Sequence, residues 1–252
     1  MIAITRAVSP RINECELTYK DRSPIDPMRA HEQHGVYESW LVTQGLKVVR
    51  ADEAPDNPDS VFVEDTAIVL DEVAVITRPG AESRRSETES IARVLKSYRE
   101  VKHITSPATI DGGDVIHHRK RIYVGLSSRT NDAVMDQLDQ ILVPFGYVID
   151  PVPLKRCLHL KSAATLIGDH TILYNPECVH DEAFHHVKMI KVDPSEPGAA
   201  NVLRVGDRLL ISSSFPRTAE MLMKKGFSVD TIHYDELEKA ESGVTCCSLL
   251  VP

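Results

Sequence analysis

The chain has 252 residues, 42% of them hydrophobic and 26% charged, with 29 Lys and Arg against 37 Asp and Glu for a formal charge of −8. That composition excludes a disordered or collagen-like chain, and the acidic balance disfavours nucleic acid and anionic membrane as partners while suiting a small cationic substrate. No stretch approaches the roughly 18 apolar residues of a membrane helix, and MIAITRAVSPR has neither the basic nor the long apolar region of a secretory signal, so a soluble, cytoplasmic protein is expected. Five cysteines with no CxxC spacing point to a reducing compartment and against a disulfide framework.

In chain order, IAITRAV reads as a strand, and Asp26-Pro27 starts a helix that ends at Gly45. LKVVRA, residues 46–51, is the strand that follows. TAIVLDEVAVITRPG, residues 66–80, is a hairpin turning at Asp71 and Glu72. Ile91, Val94, Leu95 and Tyr98 share one face of a helix within residues 82–98, and a strand follows at 101–104. A second hairpin starts at Asp114, a helix capped by Asn131 and ended by Gly146 follows, and residues 147–149 form its strand. AATLIGDHTILYN and ANVLRVGDRLLISSS are two more hairpins with Gly-Asp turns. The first is followed by a short helix at 181–186, the second by a helix at 218–225 and a strand at 228–232.

CCSLLVP is a last strand whose natural partner is the N-terminal one. The units start near 66, 114, 163, 201 and 246, which is 48, 49, 38 and 45 residues apart. Five hairpin–helix–strand units therefore close into a ring, a five-bladed α/β propeller, if the two terminal strands pair. An α+β domain with accidental regularity is the competing interpretation. No linker or low-complexity tract interrupts residues 1–252, so one catalytic domain is expected.

In such a ring the start of each unit converges on the centre. The residues found there are Asp59, Glu64 and Asp65; Asp111-Gly-Gly-Asp114; His159-Leu-Lys-Ser162; and Thr245-Cys246-Cys247-Ser248. The acidic cluster would grip a guanidinium bidentately, although the same residues would serve equally to cap a turn. The DGGD turn lacks the GxGxxG or GKS/T context of a phosphate loop. His159 lies between leucines on a strand-like segment, where a satisfied core histidine is the ordinary interpretation and an acid/base the functional one. His117-His118 and His185-His186 have no metal spacing. Cys246 and Cys247 are either buried structural thiols or a thiolate nucleophile partnered by His159. Cys15, Cys157 and Cys178 read as structural. Arg84 and Arg129 precede helices, where cations oppose the macrodipole, which suits an anchor for a substrate carboxylate.

Taken together, PDSVFVED, TRPGAESRR, IDGGDVI, VGLSSRTN, HLKS and TCCS, in that order from Asp59 to Ser248, resemble the dimethylarginine dimethylaminohydrolases of the guanidino-group-modifying superfamily. The resemblance implies a five-bladed α/β propeller (pentein) and hydrolysis of Nω-methylated arginine to citrulline and a methylamine. It implies Cys246 as nucleophile, His159 as general acid/base and Asp111, often Glu in relatives, as a second catalytic acid. It further implies substrate contacts from Leu17 on a lid loop, Asp59, Glu64, Asp65, Arg84, Arg129 and the Ala240 backbone. No metal or organic cofactor is implied, the partner is a cationic amino acid, and a homodimer is left open. Arginine deiminase or citrulline hydrolase activity on the same fold is the runner-up, and a non-catalytic propeller module the reading from another class.

Overall fold

Strands come in threes, and each three repeats one order: an antiparallel hairpin, a connection, and a third strand parallel to the hairpin's second. The computed structural model describes residues 1–185 and 187–252. The two chain ends build one sheet together, with β1 (Ile2–Thr5) lying between β15 (Leu249–Val251) and β2 (Lys47–Arg50). Ile2, Ala3 and Ile4 face Val251, Leu250 and Leu249 across it. Pairing of the termini is thus what closes the ring. A parallel return needs a crossover, and α1 (Pro27–Thr43) supplies it. The Asp26 side chain accepts from the N–H groups of Met28 and Arg29, and Pro27 occupies the first turn, where its missing N–H costs nothing.

The second sheet holds β3 (Ala67–Val69), β4 (Val73–Ile76) and β5 (Glu100–His103), with α2 (Thr88–Leu95) as its crossover. The third holds β6 (Val115–His118), β7 (Arg121–Leu126) and β8 (Val148–Pro153), crossed by α3 (Val134–Leu142). A short helix, α4 (Leu160–Ala163), leads into the fourth sheet of β9 (Ala164–Gly168), β10 (Thr171–Tyr174) and β11 (Lys188–Lys191). The fifth holds β12 (Leu203–Val205), β13 (Arg208–Ser212) and β14 (Ser228–Ile232), crossed by α5 (Pro216–Lys224) and followed by α6 (Asp235–Glu238).

Alternation along the middle strands explains why they read as apolar on both faces. In β4, Val73 and Val75 pack toward the third sheet's core while Ala74 and Ile76 pack toward the first sheet's. In β7, Ile122 and Val124 go one way and Tyr123 the other. Leu173 in β10 and Leu210 in β13 split from their neighbours in the same manner. Each sheet therefore shares a core with the sheet before and the sheet after it. Each such buried side chain contributes about 1.5–3 kcal/mol of burial free energy. The first strands of all five sheets line one axial cavity of about 380 Å³.

Three sequence expectations are corrected. Asn131 does not cap α3 with its side chain; the N-cap is Ala133, and the Asn131 amide instead bonds Thr109 N–H and the Pro107 carbonyl. In that position it satisfies one N–H and one carbonyl of the connecting loop. Cys157 and Cys178, taken as free structural thiols, form a disulfide that ties the segment before His159 to the end of the β10 turn. Sequence separation carries no sign of a bridge that long-range folding creates. The helix expected at 181–186 is a single 3-10 turn, Asp181–Ala183, and His186 of the His185–His186 pair lies outside the described residues.

Candidate active site

Short, tightly bonded turns at the sheet entries place the functional side chains. Asp65 sits in a 3-10 turn, Val63–Thr66, immediately before β3, not in the strand that the sequence pattern suggests. Its Oδ2 accepts from Arg84 Nη1 at 2.6 Å, and its Oδ1 accepts from Gly113 N–H at 3.0 Å and lies 3.8 Å from His159 Nδ1. His159 has extended backbone, φ −136 and ψ 161, at the entry to α4, so the segment read as strand is a turn into a helix. Its Nε2 lies 3.0 Å from Asp111 Oδ2. Asp111 is wholly buried and accepts from Gly80 N–H at 2.9 Å through its other oxygen.

Close approach at Gly113 is what allows this packing. A Cβ there would lie 2.7 Å from His159 Nδ1 and 2.8 Å from Asp65 Oδ1. Glycine in the DGGD motif is thus a steric requirement of the imidazole–carboxylate pair. Gly113→Ala is expected to lower kcat by about 10²-fold or more, because roughly 1 Å of displacement at a reacting group has that cost. Steady-state kinetics checks this on variant protein whose circular dichroism matches wild type.

Cys246 lies in the turn before β15. Gly243 N–H donates to its Sγ at 3.4 Å, and its carbonyl accepts from Glu64 N–H at 3.0 Å. The turn is braced by Asn201, which donates to Thr245 Oγ1 at 2.9 Å and accepts from Thr245 N–H at 3.0 Å. Cys247, its neighbour, is fully buried with Sγ 2.9 Å from Tyr234 Oη, so only the first sulfur of the pair reaches the cavity.

One small cavity of about 20 Å³ joins these groups. Asp59, Phe62, Asp65, Arg84, Arg129, Leu158, His159, Ala240 and Cys246 line it, together with Glu16, Glu241 and Ser242. Seven of the ten residues singled out in the sequence therefore share it. Asp111 stands behind His159. Leu17 packs, half-buried, on the apolar cluster that holds Phe62 and Ala240, while its neighbour Glu16 reaches the cavity. Glu64 is placed elsewhere: its carboxylate bonds Lys161 Nζ and Thr245 Oγ1, both at 2.7 Å, and faces the axial cavity.

The two arginines differ. Arg84 is buried and already neutralised by Asp65 and by Glu87, 3.0 Å away, and it also donates to the Phe62 carbonyl. Arg129 is buried with no carboxylate partner among the described residues, and its Nη2 donates only to Thr18 Oγ1 at 3.3 Å. Arg129 is therefore the cation left available to an anionic group.

Electrostatics divides the roles. Burial alone would lower the His159 pKa, but Asp65, Asp111 and Asp114 override it and hold the imidazole up at about 9. Burial pushes the Cys246 thiol up to about 12, with Glu64 and Asp65 adding to the effect. Burial also pushes Asp65 up, yet His159 and Arg84 outweigh it and keep the carboxylate ionised. The resting pair is a neutral thiol and an imidazolium. Asp65, Asp111 and His159 lie close enough to ligate a metal ion, but their atoms are committed to Arg84, two backbone N–H groups and one another, and the Arg84 cation opposes a second positive charge.

Asp114 and Asn201 carry structure that sequence reasoning left without a role. Asp114 is buried, accepts from Ser127, Thr130 and Leu160 N–H, and is pushed by burial up to about 6. Its place in DGGD was the available signal. Asn201 had none, because its partner Thr245 is 44 residues away.

Residues 5–192 match the family model described as "N,N dimethylarginine dimethylhydrolase, eukaryotic". The N(G),N(G)-dimethylarginine dimethylaminohydrolase of Streptomyces coelicolor is 41% identical over 98% of this chain and 95% of its own. The chain belongs to the dimethylarginine dimethylaminohydrolase family. A solved Pseudomonas aeruginosa dimethylarginine dimethylaminohydrolase, a cysteine-to-serine mutant complexed with citrulline, superposes with a TM-score of 0.93 at 32% identity, covering 98% and 97% of the two chains. The N-terminal domain of the cyanobacterial arginine dihydrolase ArgZ, 18% identical with a TM-score of 0.85, shares the fold. The five sheets are thus those of the pentein propeller expected from the sequence.

Proposed function

We propose that the protein hydrolyses Nω-methylated arginine to citrulline and a methylamine, with Cys246 as nucleophile and His159 as acid and base. One observation carries the assignment of roles: a thiol, an imidazole and the carboxylates of Asp59 and Asp65 share one cavity with two guanidinium groups. A bound guanidinium belongs beside Asp65, which is ionised and next to both Cys246 and His159. The substrate's own amino-acid end belongs with Arg129 for its carboxylate, and with Asp59 and the Ala240 backbone for its ammonium. Arg84 fixes Asp65. Glu64, which faces the axial cavity, acts on Cys246 through the backbone bond between them.

The thiol is the weak point of the resting site, since a neutral thiol is a poor nucleophile. A guanidinium cation beside Cys246 opposes the field of Glu64 and Asp65 and so favours loss of the thiol proton to solvent. The thiolate then forms a bond to the central guanidinium carbon. His159 gives its proton to the departing methylamine as the C–N bond breaks, leaving a cationic S-alkylthiouronium. Neutral His159 next takes a proton from water, the hydroxide adds to the same carbon, and as the C–S bond breaks the hydroxyl proton passes to the departing sulfur, giving citrulline, the neutral thiol and the imidazolium. General acid/base help of this kind is worth about 10²–10⁴-fold. A cytoplasmic location is part of the proposal, as is a single catalytic domain over residues 1–252. Among the described residues no helix is long and apolar enough to cross a membrane.

The direct test is citrulline formation from asymmetric dimethylarginine, monomethylarginine and arginine, and citrulline consumption, at equal concentrations. Methylated arginines are expected to give the highest kcat/KM; preference for arginine or consumption of citrulline would replace the proposal with a sibling activity. The pH profile is a second test. His159 acts as an acid only while protonated, and Asp65, Asp111 and Asp114 hold it protonated above the usual histidine range, so kcat at saturating substrate is expected to persist through neutral pH and to fall on the alkaline side. The same raised pKa makes His159 contribute stability below its unfolded value of 6.5, and that contribution is lost as pH rises through about 9.

A further inference from the structure

The catalytic cavity is small, at about 20 Å³. Glu16 lines it, on a segment from Cys15 to Ile25 that has no regular structure. Four of its backbone N–H groups reach carboxylates of the body. Glu16 N–H donates to the Asp59 carboxylate at 3.1 Å. Thr18 N–H donates to Glu241 at 2.9 Å, and the N–H groups of Tyr19 and Lys20 donate to that same carboxylate. Three consecutive amides thus converge on one side chain, an arrangement that binds an anion well.

Glu241 has φ +56, a left-handed conformation that glycine or asparagine would adopt at lower cost. Retaining a long acidic side chain there needs a reason, and the three-amide clasp supplies one. Its chain neighbours make the position consequential. Ala240 lines the catalytic cavity, and Gly243 donates to the sulfur of Cys246. Glu241 also lines a separate cavity of about 260 Å³ with Tyr19 and Lys20, so on that side the segment has open space to move into. Tyr19 is itself 53% exposed, so at residues 18–20 the clasp holds backbone that side-chain packing holds little, while Leu17 packs on the apolar cluster and Lys20 Nζ donates to the Glu238 carbonyl.

We propose that Glu241 is a positioning residue that clasps residues 18–20 over the catalytic cavity and thereby sets both substrate affinity and the shielding of Cys246. The proposal rests on the methylarginine-hydrolase reading for its substrate, but not for its shielding. With the clasp formed, Glu16 and Thr18 stay against Asp59 and Arg129, and the bound amino acid is enclosed. With it broken, the enclosure is lost while the reacting groups keep their places.

Two substitutions separate reach from backbone strain. Glu241→Asn tolerates the left-handed backbone but is one methylene too short to span the three amides. Glu241→Gln keeps the length and one acceptor oxygen. For each, the rate of iodoacetamide labelling of Cys246 without substrate, the KM and kcat for asymmetric dimethylarginine, and the Tm are measured. Glu241→Asn is expected to raise both the labelling rate and KM by about tenfold, with kcat changing less than KM and Tm not lowered. Glu241→Gln is expected to lie at least about threefold closer to wild type on both scales. Wild-type labelling and KM in folded Glu241→Asn, or equal defects in the two variants, would overturn the proposal. Absence of methylarginine hydrolysis in the wild type would remove the functional reading and leave the labelling comparison standing as the test of the clasp.

Discussion

Cys246→Ser is expected to reduce citrulline formation by about 10⁴-fold or more, with affinity for methylarginine kept within about threefold of wild type. A guanidinium is resonance-stabilised and needs a strong nucleophile, which a serine hydroxyl, a far weaker acid than a thiol, does not supply. The groups that hold the substrate are untouched by the change. Asp65 keeps its bonds to Arg84 and Gly113, and Arg129 keeps its open guanidinium. Turnover assays with isothermal titration of the same variant check both halves. Retained citrulline production would contradict the role of Cys246, and lost binding with a normal Tm would show that the sulfur helps to hold the substrate.

His159→Gly is the second large effect. Both half-reactions lose their proton carrier, so steady-state turnover is expected to fall by about 10³-fold or more. The two halves do not suffer equally. The first depends on how basic the leaving group is, whereas the second always needs a base to take a proton from water. A substrate whose leaving group is a thiol, such as S-methyl-L-thiocitrulline, departs without an acid and should load the variant. The thiouronium then has no imidazole to activate water and accumulates.

The ring was legible in the sequence because its signals are local. Gly-Asp turns at 168–169 and 206–207, helix faces such as Ile91–Leu95, and the apolar terminal strands each follow from a few adjacent residues. Cys246, His159, Asp59 and Asp65 stand out as polar or sulfur-bearing residues near the starts of units, but the residues alone leave structural readings open, and it is the family resemblance that supplies their proposed roles. What the pattern hid depends on distance in the chain. Glu64 and Asp65 are adjacent, yet a 3-10 turn sends one carboxylate to the axial cavity and the other to the catalytic one. Arg84 and Arg129 look alike in sequence, and only the fold shows that Asp65 and Glu87 neutralise the first. The Cys157–Cys178 bridge, the Asn201 brace and the Glu241 clasp each join residues that no spacing rule connects.

All of the proposed chemistry requires a covalent bond between the sulfur of Cys246 and the guanidino carbon. Peptide-mapping mass spectrometry of His159→Gly, quenched in acid after incubation with S-methyl-L-thiocitrulline, looks for that bond directly. The expected result is a stable adduct on the peptide that contains Cys246, with Cys15 and Cys247 unmodified. Adduct on either of those two cysteines, or none anywhere in folded protein that binds the compound, would contradict the account.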